Sequence, residues 1–140
     1  MKEAIHVSNG ILRVISPGDY KEAASSKISF FNVAELNEKL KVNFSNILLV
    51  TTDDYDRRNK LIWLKGKIKE YTLMNVGFDT LLENTNNLLM VNKSTLLSIE
   101  AVCSYRYDCI TLENLFPGWN DKQITLGNIY RKGFYSRINR

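Results

Sequence analysis

The chain has one histidine, His6, and two cysteines, Cys103 and Cys109, among 140 residues. A single imidazole cannot build a histidine-ligated metal centre. Cysteine–histidine catalysis would have to draw on that same residue, which reads as part of a short N-terminal strand. The cysteines are six positions apart with Ser-Tyr-Arg-Tyr-Asp between them, which matches neither Cys-x-x-Cys nor a zinc-ligand spacing. They read as reduced, small, half-buried residues of adjoining strands. Apolar runs are short: Ile47-Leu48-Leu49-Val50 falls far below the roughly 20 residues of a membrane span. No positively charged start leads into a signal-peptide core. Neither a Gly-rich nucleotide fingerprint nor a lysine-containing phosphate loop is present. Asp53, Asp54 and Asp56 lie close together, but no glycine or trailing glutamate completes a calcium loop. These absences argue for a cytoplasmic, soluble protein that is not an enzyme, with no cofactor, metal, membrane span or evident small-molecule substrate.

What is present is positive charge, unevenly placed. The total is +4; residues 1–56 carry six Lys/Arg against eight Asp/Glu, whereas residues 57–140 carry thirteen against seven. Arg57 to Lys69 holds Arg57, Arg58, Lys60, Lys65, Lys67 and Lys69 without an acid, and the final ten residues hold Arg131, Lys132, Arg137 and Arg140 without one. Such clusters attract polyanions, although lysine also defends exposed strand edges against aggregation. Seven tyrosines, two tryptophans and six phenylalanines are interleaved with these cations. Aromatics suit base stacking, but at strand spacing they read first as core.

The patterning predicts a mainly β chain. Asn9-Gly10 between two β-rich runs signals a hairpin over residues 5–14, and residues 16–27 read as a loop or linker. Residues 1–27 are thus an N-terminal hairpin and linker, and residues 28–140 one domain. Beyond Lys27, strand-like runs fall at Ile28–Val33, Leu40–Phe44, Ile47–Val50, Leu61–Leu64, Ile68–Met74, Leu88–Val91, Leu96–Val102, Ile110–Leu112 and Ile124–Leu126. Turn residues separate them at Asp53-Asp54, Lys65-Gly66-Lys67, Asn84 to Asn87 and Pro117-Gly118. Val76 to Leu82 predicts a short helix. Asn128 is placed to cap a second, terminal helix carrying Ile129, Phe134 and Ile138.

This order of elements resembles the LytTR family, the DNA-binding domain of many bacterial response regulators, over about Ile28 to Ile138. Lys41 to Val50 is similar to the family's opening strand, Leu61-Ile62-Trp63-Leu64 to its second core strand, and Phe78 to Glu83 to its short helix. Val91-Asn92-Lys93-Ser94-Thr95-Leu96-Leu97-Ser98-Ile99 to Val102 parallels the family's His-Arg-Ser segment and the strand after it. Lys122 to Lys132 resembles the last strand and its basic continuation.

The resemblance implies an elongated arrangement of small antiparallel sheets, with one short internal helix and a short C-terminal helix. It also implies sequence-specific binding of double-stranded DNA in transcription regulation, loops reading major-groove base edges, and a homodimer on repeated sites. The contact places it implies are Asn59 with Arg57, Arg58 and Lys60 around it; Asn92 and Lys93 ahead of Ser94; and Asn128 or Gly127, followed by Arg131 and Lys132. Asn92 stands where the family has histidine, Ser98 where it has asparagine, and Asn128 where it has arginine. Asparagine reads adenine through N6 and N7, so these departures predict a preference for A·T-rich sites, with Lys and Arg holding phosphates. The lost histidine and arginine also suit an alternative, a LytTR-like module without base readout that serves protein–protein interaction or regulation.

Overall fold

The computed structural model describes residues 27–139. The expected N-terminal hairpin, His6, most of the linker and Arg140 lie outside the described residues. The elements are β1 (Ile28–Phe31), β2 (Leu40–Asn43), β3 (Ile47–Thr52), β4 (Lys60–Leu64), β5 (Tyr71–Leu73), α1 (Phe78–Leu82), β6 (Leu88–Asn92), β7 (Thr95–Ser98), β8 (Val102–Arg106), β9 (Cys109–Leu112), β10 (Gln123–Thr125) and α2 (Arg131–Ile138). They form three antiparallel sheets: β1-β2, a central β5-β4-β3-β7-β6, and β10-β9-β8. The architecture is the mainly β arrangement of small sheets and two short helices that the patterning predicts.

The central sheet is covered on both faces, which explains why its middle strands read as unbroken apolar runs. Ile47, Leu48, Leu49 and Val50 are all buried. Ile47 and Val50 join a core with Phe31, Val42, Phe44, Leu73 and Leu81, under the small β1-β2 sheet and α1. Leu48 and Leu49 join a second core with Ile110, Leu112, Phe116, Trp119, Leu126 and Phe134, under the β10-β9-β8 sheet and α2. A shift in the β3–β4 register between Ile47 and Leu49 breaks the strict alternation and accounts for two successive residues serving one core. In β7 the alternation is regular, and the neighbours Leu96 and Leu97 face opposite cores.

The turns fall where the sequence places them, and Gly66 and Gly118 occupy the left-handed region with φ of 88° and 89°. Three local expectations change. The run Leu96–Val102 is not one strand: it bends in a 3-10 turn at Ile99–Ala101, where the Ser98 hydroxyl accepts the Glu100 N–H, and continues into β8 of another sheet. The run Ile68–Met74 shortens to Tyr71–Leu73, leaving Ile68 79% exposed in the lysine-bearing loop before it. Asn128 does not cap α2. It opens a separate 3-10 turn, Asn128–Tyr130, and α2 begins at Arg131 without a side-chain cap. No helix among the described residues is long and apolar enough to cross a membrane.

The linear charge clusters do not survive folding as patches. Arg57 and Arg58 precede β4, but Lys65, Lys67 and Lys69 follow it, about 16 Å further along the strand. The Lys65 N–H reaches the Asn46 carbonyl and its ammonium pairs with Glu100 at 2.8 Å. Likewise Arg131 and Lys132 open α2, whereas Arg137 near its end donates to the Asn86 carbonyl before β6.

Phe134 anchors α2 in the second core, fully buried and edge-on to Tyr105 at 5.2 Å between ring centroids. Phe134→Ala is expected to destabilise the domain by about 3–5 kcal/mol. Urea unfolding should show a lower midpoint with an unchanged slope.

Candidate nucleic-acid interface

Antiparallel pairing delivers the expected contact segments to one rim of the central sheet. Thr51 of β3 lies opposite Thr95 of β7, and Thr52 opposite Lys60 of β4, so the β3–β4 loop and the β6–β7 turn emerge side by side. The Thr52 N–H donates to the Ser94 carbonyl and joins them directly. The chain after β10 is tied to the same rim by the Gly127 N–H to the Val91 carbonyl at 2.8 Å, and by the Asn92 amide to the Thr125 carbonyl at 2.8 Å. All three segments singled out in the sequence therefore meet, although they are spread over more than seventy residues.

A fourth element joins them. Thr125 pairs with Cys109, and the Leu126 N–H donates to the Asp108 carbonyl, bringing the β8–β9 turn with Tyr107 and Asp108 alongside. The Arg131 guanidinium lies 3.9 Å from the Tyr107 ring centroid and donates to Asn128 Oδ1 at 2.8 Å. Arg106, Asp108, Gln123, Thr125, Asn128 and Arg131 line an open cleft of about 520 Å³ between these segments. In the sequence, residues 104–108 stand out chiefly as the spacing between two cysteines. The signal available there was the polar Arg-Tyr-Asp triplet at a strand reversal. Cys103 is exposed, Cys109 is half-buried, and both are free thiols.

The expected site residues divide sharply by how they are held. Arg57, Lys93 and Lys132 are exposed. Arg58 is exposed too, but grips Asp56 through two hydrogen bonds, Nε to Oδ1 at 3.0 Å and a terminal nitrogen to Oδ2 at 2.8 Å. Asp53 and Asp54 stand in the same loop, so its formal charge is −1, offset only by Lys60 at the start of β4. Asn59 is only 9% exposed, and its Oδ1 accepts the Asn75 N–H, fastening the loop to the segment before α1. Lys60 is 7% exposed; its ammonium donates to the Arg57 carbonyl and lies over the Phe78 ring. Desolvation, reinforced by Arg57, lowers the pKa of Lys60. Asn59 and Lys60 are thus turned inward, against the expectation that they face a partner.

Of the other two asparagines, Asn92 spends its amide on the fold and Asn128, itself exposed, steers a neighbouring cation. Asn92 donates to Thr125 and accepts the Ser94 N–H at 2.9 Å, while Asn128 accepts from Arg131. Ser94 is half-buried and serves through its backbone carbonyl. The hydrogen-bonding edge that would let asparagine read adenine also makes it the usual brace of a turn.

The Arg58 side chain, together with the Arg58 backbone N–H, holds the Asp56 carboxyl at a pKa of about 2. The charged form of Asp56 is favoured, so the loop keeps its brace at all pH values above that point. NMR titration of the Asp56 carboxyl should give a midpoint near 2 that moves toward the ordinary carboxylate value, about 3.9, in Arg58→Ala.

No protein-family model matches the chain, and no curated protein matches it. Among solved structures, the LytTr DNA-binding domain of a Bacillus cereus protein described as a methyl-accepting/DNA response regulator is similar, with a TM-score of 0.58 over 81% of this chain and 97% of that one, at 8% sequence identity. The chain has a LytTR-like fold.

Proposed function

We propose that this chain is a double-stranded-DNA-binding domain acting in transcription regulation, with the loop rim as its DNA surface. The observation that carries the reading is the convergence, on one end of a rigid sheet, of loops that present Arg57, Lys93, Arg131 and Lys132. The solved domain of similar fold is itself described as DNA-binding. The roles differ from those a motif alone would give. Arg57, Lys93 and Lys132 hold phosphates; Arg58 joins them when a phosphate replaces Asp56. Arg131, flattened on Tyr107 and steered by Asn128, is the pre-oriented cation of the surface. Asn59, Lys60, Asn92 and Ser94 brace the loops, and Asn92 reads a base only by giving up its bond to Thr125. Two copies on repeated half-sites would double the footprint.

The alternative, a module of the same fold that binds protein, has one specific observation in its favour: Asn59 and Asn92 are engaged internally and the β3–β4 loop carries a formal charge of −1. Salt dependence separates the two. With Arg131 counted beside Arg57, Arg58, Lys93 and Lys132, five phosphate-contacting cations give a slope of about −4 to −5 in log K against log salt. Mobility-shift titration across a salt series should show it, and Lys93→Ala should reduce the slope by about one without altering sequence preference. Failure to bind any duplex at about 50 mM salt overturns the DNA reading.

A further inference from the structure

Of the three asparagines that could read adenine, Asn59 and Asn92 are committed within the protein and the Asn128 oxygen accepts from Arg131, which leaves room on this rim for another source of base discrimination. The exposed apolar side chains supply one. Singly, an exposed isoleucine or tyrosine needs no explanation. Their placement here is not scattered. Among the described residues, the large apolar side chains more than two-thirds exposed are Tyr55 at 99%, Ile129 at 81%, Ile68 at 79% and Tyr107 at 69%. All but Ile68 stand on loops of the same rim.

They are not equivalent. Tyr55 is flanked by Asp53, Asp54 and Asp56, which repel a phosphate backbone. One face of Tyr107 is covered by Arg131. Ile129 has neither obstacle and lies between Asn128 and the cations Arg131 and Lys132. Its presentation is built into the turn. Leu126 is fully buried and Tyr130 packs against the second core. The Tyr130 N–H closes on the Gly127 carbonyl at 3.0 Å, and the Tyr130 ring folds so closely over Gly127 that a Cβ there would come within 3.0 Å of it. In a turn of three residues per revolution, inward anchors at 127 and 130 leave 129 facing out.

We propose that Ile129 is a specificity-determining residue that reads thymine through its C5-methyl group in the major groove. This rests on the DNA-binding reading above. The thymine methyl is the one apolar feature that a base pair displays in that groove. A branched aliphatic side chain carried beside two phosphate-seeking cations matches it, and a preference for A·T pairs follows without any asparagine contact to adenine.

The test uses the full chain and the tightest duplex selected from a random pool. In that duplex each thymine in turn is replaced by deoxyuridine, which removes the methyl and leaves pairing intact. For the wild type, one or two positions should lose about four-fold in affinity, the effect of withdrawing one buried methyl. Ile129→Ala, at an exposed position that the fold does not use, should bind the thymine and deoxyuridine duplexes equally at those positions. Ile68→Ala, at the opposite end of the sheet, should keep the discrimination. Binding that is indifferent to deoxyuridine at every position, or discrimination that persists in Ile129→Ala, overturns the assignment to Ile129 and leaves DNA binding standing. Absence of binding to every duplex overturns both.

Discussion

The structure depends on the burial of its central sheet from both sides. With β1-β2 and α1 on one face and β10-β9-β8 and α2 on the other, neither face of β3 or β7 remains broadly open to a partner. Only the rims are left, where strands end and loops begin. A domain built this way cannot present a broad flat surface or a recognition helix from its centre; it must work with loops. The same burial makes those loops dependable, because each starts from a strand whose register is fixed by two cores at once. A one-residue slip of β3 would move Val50 and Leu49 into the wrong cores, so the relative positions of Thr52, Ser94 and Lys60 are set by packing far from the rim.

The rim is then locked by a few backbone hydrogen bonds. Thr52 to Ser94, Gly127 to Val91 and Leu126 to Asp108 stitch four chain segments in sequence across the sheet end. Asparagine side chains finish the work, Asn59 toward Asn75 and Asn92 toward Thr125. Loops held at both their ends and their middles lose little further entropy on meeting a partner, which is the general advantage of preorganisation. The same bonds explain why the asparagines contribute rigidity: an amide that braces a turn cannot also face outward without releasing the turn.

Much of the fold was legible because it rests on short-range signals. Apolar runs marked β2, β3, β4, β6, β7, β9 and β10, and glycine at positive φ marked two reversals. β8 was the strand least visible, since Cys103, Ser104, Tyr105 and Arg106 are all exposed on a sheet edge and carry no hydrophobic alternation. The contact segments were legible through the resemblance, and they do converge. Side-chain direction was not legible. Whether Asn59 and Lys60 face in or out is decided by Asn75 and Phe78, sixteen and eighteen residues away, and no local pattern announces those partners. The β8–β9 turn was missed for a related reason: its importance comes from Arg131 lying over Tyr107, a contact between residues that neither propensity nor spacing connects.

The charge arithmetic shows the same limit from the other side. The acid-free run from Arg57 to Lys69 suggested one basic patch, yet β4 runs through it and carries its two halves to opposite rims. A strand of five residues is enough to do this, since it is longer than the roughly 8 Å over which salt screens exposed charges at physiological strength. Arg57 and Lys67 therefore act on different partners or on none together. What concentrates charge on the loop rim is topology instead: Arg57, Lys93, Arg131 and Lys132 come from three segments distant in sequence, and none of the four lies in a cluster with all the others. A polyanion approaching this end meets cations spaced by strand separation, with apolar tips between them. The attraction is long-ranged and indifferent to sequence, whereas discrimination must come from groups that touch base edges. The side chains that the packed turns of this rim hold outward include Ile129 and Tyr107, whose lack of charge makes them invisible to any argument from electrostatics.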